Sequence, residues 1–119
     1  MSNENLKLRT KQLALRVTKL VESLPHDATA NVLGRQLLRA GTSVGANYRA
    51  ACRRKSTADF ISKMGTVEEE ADESGCWLEL LAEAGKTKPA KIAALMQEAS
   101  ELTAIAVSSI NTARKSGNR

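Results

Sequence analysis

Apolar residues recur every three or four positions along most of this chain, the spacing that gathers side chains on one face of an α-helix. Four such stretches are separated by short segments that carry the usual signals for helix ends. The pattern predicts helices over residues 6–24, 28–54, 57–84 and 89–114. Because the connections are short and no strand pattern occurs, we expect an all-α fold: an antiparallel up-down-up-down four-helix bundle in one domain over 1–119.

The predicted boundaries depend on residues that start or stop helices. Pro25 ends the first helix, because the residue before a proline avoids helical backbone. Asp27 and Ser56 are good N-cap residues for the second and third helices. Gly85 fits a C-terminal cap, and Pro89 fits the first position of the fourth helix.

The second predicted helix carries three surfaces. Its apolar face is formed by Leu33, Leu37, Ala40, Val44, Tyr48 and Ala51. Roughly opposite, within an arc of about 80°, lie the arginines Arg35, Arg39, Arg49 and Arg53. Between these faces runs a strip of small residues where another backbone can approach closely, formed by Gly34, Gly41, Gly45 and Cys52.

These glycines leave an alternative open, in which Gly41 and Gly45 break the helix and the residues between them form a loop. Each interior glycine costs about 1 kcal/mol relative to alanine. A phosphate-binding loop does not fit, because the segment lacks the GxxxxGK[ST] pattern and no strand precedes it. We interpret the segment as one continuous, packed helix.

Charge is distributed unevenly along the chain, whose formal net charge is +5. Residues 1–60 hold 11 Lys and Arg against 4 Asp and Glu, whereas residues 61–119 hold 7 against 9. A basic half attracts a polyanion, and an acidic half can dock on it in a neighbouring subunit. Solubility alone is the competing explanation.

The chain contains no apolar run long enough to span a membrane, and its first ten residues, MSNENLKLRT, lack the apolar core of a signal peptide. Cys52 and Cys76 match no disulfide or zinc pattern and are expected to be reduced thiols. We therefore expect a cytoplasmic protein without membrane contact. The polar end, 116–119, has nothing to bury and is expected to fray.

The sequence gives little support to an enzyme. His26 is the only histidine, which leaves no Ser-His-Asp network. The acidic run Glu68–Glu73 lacks the nearby histidines of di-iron bundles, and several of its carboxylates face outward. We expect no catalytic residue, metal or cofactor, and keep an enzyme using this acidic run as a minor alternative.

The arginine face is the strongest candidate for function. Guanidinium groups present a planar set of donors that suits phosphate oxygens. We therefore predict binding to RNA or DNA phosphates through Arg35, Arg39, Arg49, Arg53, Arg54 and Lys55. The alternative is that these cations pair with the acidic face of the third helix, in the same or a neighbouring subunit.

Trp77 and Leu80 lie off the apolar line of the third helix. Large apolar side chains outside a core stripe are typical of a subunit contact. Local packing against the fourth helix explains them equally well. A scaffold that docks a partner protein is accordingly the second functional hypothesis.

Three runs resemble a known family: Arg39–Asn47 (RAGTSVGAN), Lys55–Phe60 (KSTADF) and Glu73–Leu81 (ESGCWLELL). They are similar to the small bacterial four-helix-bundle proteins encoded in intervening sequences of 23S ribosomal RNA genes. They also resemble the related accessory variability determinant proteins of diversity-generating retroelements. The chain departs from many relatives at Val44-Gly45, where those have Ile-Pro.

The resemblance implies a ring-shaped homopentamer of four-helix bundles, in a basic family suspected of binding nucleic acid. The retroelement branch implies a reverse transcriptase as a possible partner. The resemblance implies no catalytic residues. Arg39, Arg49 and Lys55 lie in or beside the shared runs, whereas Arg35, Arg53 and Arg54 rest on the helical pattern alone.

Overall fold

A computed structural model describes residues 2–117 and contains four α-helices. These are α1 (Asn3–Glu22), α2 (Ala28–Cys52), α3 (Thr57–Glu83) and α4 (Pro89–Gly117). The predicted all-α four-helix bundle is confirmed. Of the polar end expected to fray, residues 116 and 117 belong to α4, and residues 118 and 119 lie outside the described part of the chain.

Caps set the helix boundaries. The side chains of Asp27 and Ser56 accept hydrogen bonds from the backbone N–H groups of Ala30 and Asp59, at 2.8 and 3.0 Å. Gly85 has a φ of 75° and closes α3, with its N–H donating to the carbonyl of Ala82. The observed α1 and α2 end two residues earlier than predicted, because the Ser23 and Arg53 N–H groups already make capping bonds.

The helices form an elongated bundle measuring 52 × 21 × 20 Å. Helix α3 packs extensively against α2 and α4, whereas α1 packs against α2 and only lightly against α4. Aliphatic side chains fill the core, and those with the least exposure include Leu13, Leu37, Met64, Leu78 and Leu81. None of the described helices has the length and apolar character needed to cross a bilayer.

Helix α2 runs without a break through its glycines, which confirms the continuous helix. The glycine strip faces α1. A Cβ atom built on Gly41 would lie 3.0 Å from Cγ1 of Val17, and one on Gly45 would lie 3.1 Å from Oγ1 of Thr10. A larger side chain would crowd α1 at these positions, so glycine lets α1 approach α2 closely, and this packing compensates for the low helix propensity of glycine.

Two polar contacts attach α1 to its neighbours. Arg9 donates a hydrogen bond from Nε to Oε2 of Glu98 on α4 at 3.0 Å, and its Nη2 also reaches Glu101. The hydrogen bond to Glu98 raises the pKa of Arg9 further above its already high ordinary value. At the start of α1, the hydroxyl of Tyr48 on α2 donates to Oδ1 of Asn3 at 3.0 Å, and burial raises the pKa of that hydroxyl.

Candidate nucleic-acid interface

The outer face of α2 carries the predicted arginines. Arg35, Arg39, Arg49 and Arg53 are all exposed there. Helix α2 contains no acidic residue, so no carboxylate of the same helix offsets these charges. Their surroundings decide how much of this positive charge is available to a ligand.

Arg39 is bound by carboxylates of α3. Its Nη1 donates to Oε2 of Glu70 at 3.1 Å, and its Nη2 contacts Oε1 of Glu73. Glu73 also accepts a hydrogen bond from Nε1 of Trp77 at 3.3 Å, which completes a surface network. Arg39 therefore follows the alternative that the sequence left open, pairing with the acidic face of α3 in the same chain.

The pairing of Arg39 divides the predicted arginine face into two parts. Arg35 stands alone toward the start of α2, beside a shallow groove that also includes His26 and Asn31. Arg49 begins a second group about 21 Å farther along the helix axis. Arg35 is therefore too far away to act with that group on the same few phosphates.

The second group lies at one end of the bundle and includes residues of another helix. We call it the basic end, formed by Arg49, Arg53, Arg54, Lys55, Arg114 and Lys115. Helix α4 extends to this end of the bundle, where Gly117 lies against Thr57. A Cβ atom placed on Gly117 would be 3.4 Å from Cγ2 of Thr57. Within residues 2–117, none of the six cations forms an ion pair.

The acidic group closest in sequence to this cluster is already engaged. Asp59 accepts a hydrogen bond from Nζ of Lys63 at 2.7 Å and another from the N–H of Lys55 at 3.0 Å. The bond from Lys63 is the main reason why the pKa of Asp59 lies below its usual range. The carboxylate is thus charged at neutral pH and committed to Lys63.

Helix geometry favours cations at this end. Arg49 is in the last turn of α2, and Arg114 and Lys115 are in the last turn of α4, where the helix dipole is negative. This interaction stabilises the positive charge and leaves the side-chain N–H groups available. Arg54 in addition lies over the ring of Phe60, with its guanidinium carbon 4.9 Å from the ring centroid.

Sequence reasoning missed Arg114 and Lys115. They follow each other near the end of the chain, about 60 residues after Lys55, and no local pattern links them to α2. The predicted topology could have indicated that these residues lie near the end of α2. In an up-down-up-down bundle, the C-terminal ends of the second and fourth helices lie at the same end.

Trp77 and Leu80 have different environments. Trp77 is half-buried and packs against the core cluster, in line with the local-packing alternative. Leu80 is 42% exposed. Their proposed role as a subunit contact remains a prediction. The carboxylates of the acidic run Glu68–Glu73 occupy half-buried and exposed positions on α3. Among the described residues, no three His, Cys, Asp or Glu side chains group in a way that would hold a metal ion.

These features define an all-α four-helix bundle with a glycine-mediated contact between its first two helices and unpaired cations at one end. Comparison with known proteins identifies the group. The chain belongs to the 23S rRNA-intervening sequence protein family, whose model matches residues 5–108.

A solved structure supports this assignment. The chain is similar to a crystal structure of a protein with unknown function from the S23 ribosomal protein family of Bacteroides thetaiotaomicron. The two share 32% sequence identity and a TM-score of 0.82, over 88% of this chain and 97% of that one. A comparison with curated protein sequences found no significant match.

Proposed function

We propose that this chain is a non-enzymatic protein that binds the phosphate backbone of RNA or DNA through its basic end. The supporting observation is the group of six exposed cations contributed by α2, the α2–α3 connection and α4, none of which forms an ion pair within residues 2–117. A polyanion is the partner whose charge matches them. The family's association with 23S rRNA genes is consistent with a nucleic-acid ligand.

The interaction is expected to be weakly sequence-selective. Selective binding to single strands relies on aromatic side chains that stack on bases. Of the two aromatic residues near the basic end, Tyr48 is buried, and Phe60 is half-buried and covered by Arg54. Binding is therefore electrostatic and falls steeply as counterions compete.

We further infer that the chain acts as a homo-oligomer, and a pentamer is the expectation from the family resemblance. A ring repeats the basic end once per subunit, so several ends contact one strand and the overall affinity rises. A cytoplasmic location gives access to such a strand. The mass of the purified protein in solution tests the oligomeric state independently of binding.

The test of the binding proposal is a titration of fluorescent RNA and DNA oligonucleotides of unrelated sequence, at salt concentrations from about 50 to 500 mM. We expect similar affinities for all sequences and a slope of log K against log salt of about −3 to −4, equivalent to four to six phosphate contacts. A flat salt response, or no binding at the lowest salt, contradicts the proposal.

A protein-docking scaffold is the second candidate, with a reverse transcriptase as one such partner. The observation that favours it is the exposure of two large apolar side chains on the outer face of α1, Leu8 at 52% and Leu15 at 57%. A pull-down that retains a nuclease-resistant protein partner and no nucleic acid favours this candidate over the first.

A further inference from the structure

A cleft opens at the basic end between the beginning of α3 and the last three turns of α4. We call it the end cleft; its volume is about 560 Å³, and its walls include Arg54, Thr57, Phe60, Ser108, Thr112 and Ser116. This size is within the range of sites that hold small organic ligands. Its walls carry hydroxyl groups from both α3 and α4 beside the guanidinium group of Arg54.

The hydroxyls of the end cleft are free to bind a ligand. Within residues 2–117, those of Thr57, Ser108, Thr112 and Ser116 make no hydrogen bond to the protein. Three of them follow each other at intervals of four along α4, so they project from one side of that helix.

Several hydroxyls elsewhere in the helices are bonded to the backbone of their own helix. Thr42, Thr66 and Thr103 each donate to the carbonyl four residues earlier, at 2.7, 3.4 and 2.8 Å. This is the usual local arrangement of a helical hydroxyl. The hydroxyls of the end cleft do not adopt it, and they are available as donors to an acceptor within the cleft.

The charge on the walls of the cleft is entirely positive. Arg54 forms one wall and is unpaired with any carboxylate of the described chain, while Phe60 supports its guanidinium plane. No acidic residue lines the cleft, and α4 contains none after Glu101. Arg114 and Lys115 are in the same part of α4.

We propose that the end cleft binds a phosphate monoester, the group found at a phosphorylated end of a nucleic-acid strand. A monoester carries a charge of about −1.5 to −2 and three strong acceptor oxygens. Those oxygens match one guanidinium and a row of hydroxyl donors. A backbone diester has a single charge and two free oxygens, and the exposed cations outside the cleft suffice for it.

This inference rests on the proposed function, since it adds recognition of the strand's end to binding of its backbone. The experiment uses three 12-nucleotide RNAs of one sequence, with a 5′-phosphate, a 3′-phosphate or hydroxyls at both ends. Adenosine 5′-monophosphate serves as a competitor. We expect one phosphorylated RNA to bind about tenfold more tightly than the hydroxyl-ended RNA, and the monophosphate to remove that advantage.

Substitutions in the end cleft test whether its hydroxyls cause the preference for a phosphate end. Thr112→Val and Ser108→Ala remove hydroxyls without changing charge, so the double variant should lose the preference for a phosphate end and bind hydroxyl-ended RNA as before. Ser100→Ala is the matched control, because Ser100 is an exposed hydroxyl of α4 outside the cleft. It should leave the preference intact.

Each outcome has a distinct meaning. Equal, salt-sensitive binding of all three RNAs overturns the end-cleft inference and leaves the proposed function in place. A phosphate-end preference that survives the double variant also overturns the inference, because the selecting group then lies elsewhere. Absence of RNA binding at low salt overturns the proposed function and the inference together.

Discussion

Arg39 on α2 donates a hydrogen bond to Glu70 on α3, over 3.1 Å between Nη1 and Oε2. This contact pairs the positive charge of Arg39, one residue of the predicted arginine face, with a carboxylate of the same chain. It also links the helix without acidic residues to the helix with most of them. The consequence is that the available positive charge lies at the end of the bundle and is not spread evenly along α2.

Arg39 and Arg53 are therefore expected to respond differently to the same substitution. Arg39→Ala should lower the free energy of unfolding by less than about 1 kcal/mol, because the pair is solvent-exposed, and should leave RNA affinity nearly unchanged. Arg53→Ala should not affect stability and should reduce the salt slope by about 0.7 to 1. Urea denaturation and RNA titration measure the two quantities. Greater loss of RNA affinity in the Arg39 variant would contradict the division of the arginine face.

Substitution by alanine at two glycines in helix interiors should change the free energy of unfolding in opposite directions. A Cβ on Gly65 meets no atom within 4 Å, so Gly65→Ala should raise the free energy of unfolding by about 1 kcal/mol. At Gly41 the added carbon meets three side-chain carbons of Val17 at 3.0 to 3.2 Å. The cost of overpacking at Gly41 outweighs the gain in helix propensity. We therefore expect Gly41→Ala to lower the free energy of unfolding by about 1 kcal/mol.

The loss of stability caused by Gly41→Ala should depend on the side chain of Val17. In the Val17→Ala background, Gly41→Ala should no longer destabilise, because the crowded carbons are absent. Thermal or urea unfolding of the four proteins gives the coupling between the sites. Additive effects would show that α1 does not contact α2 through this glycine. A destabilising Gly65→Ala would show that its face of α3 is covered in solution.

Arg9 should be important for holding α1 to α4, since few other contacts join these helices. Its guanidinium donates to Glu98 from Nε at 3.0 Å, and the two side chains are only 20% and 17% exposed. Arg9→Ala should reduce the free energy of unfolding by about 1 to 2 kcal/mol. Hydrogen exchange should show faster opening of α1 in the variant. Unchanged exchange in α1 would contradict this role.

Acid should destabilise the fold through two capping-region carboxylates. Hydrogen bonds lower the pKa of Asp27, mainly from the N–H of Ala30 and then from Lys86, and that of Asp59, mainly from Lys63. Each lies below the ordinary value of 3.8. A lowered folded-state pKa stabilises the protein above the unfolded-state value, and this contribution is lost as the pH falls through the folded-state value.

The matching variants are Asp27→Asn and Asp59→Asn. Asparagine preserves the N-cap hydrogen bond at Asp27 and removes only the charge. We expect lower stability than the parent at pH 7 and a smaller loss as the pH is lowered below 3.8, measured by urea unfolding. A pH dependence identical to that of the parent would assign acid unfolding to other carboxylates.

Local periodicity was enough to predict the faces of α2. Consecutive helical residues turn by about 100°, so the positions of Leu37, Gly41 and Arg49 around the axis follow from their numbers alone. Gly41 faces α1 because the small strip lies beside the apolar face. The start of each helix from α2 onward was also predictable, since Asp27 and Ser56 are local N-cap signals.

Contacts between helices were not predictable in the same way. Whether Arg39 meets Glu70 depends on the rotation and axial offset of α3 relative to α2, which no single-helix pattern contains. The location of Arg114 depends on the length of α4, and α4 continues to Gly117, three residues past the predicted end. Helix ends fray and extend at small cost, so this difference is of the usual size.

Binding of nucleic acid at the basic end can be tested with two double variants of the same net charge. Arg53→Gln with Arg54→Gln removes two cations from the basic end, and Lys88→Gln with Lys91→Gln removes two exposed lysines from the opposite end. We measure the slope of log K against log salt for one unstructured RNA. We expect the first variant to lose about 1.4 units of slope and the second to keep the parent's slope. Equal losses in both variants would contradict this expectation, because binding would then follow net charge and not the basic end.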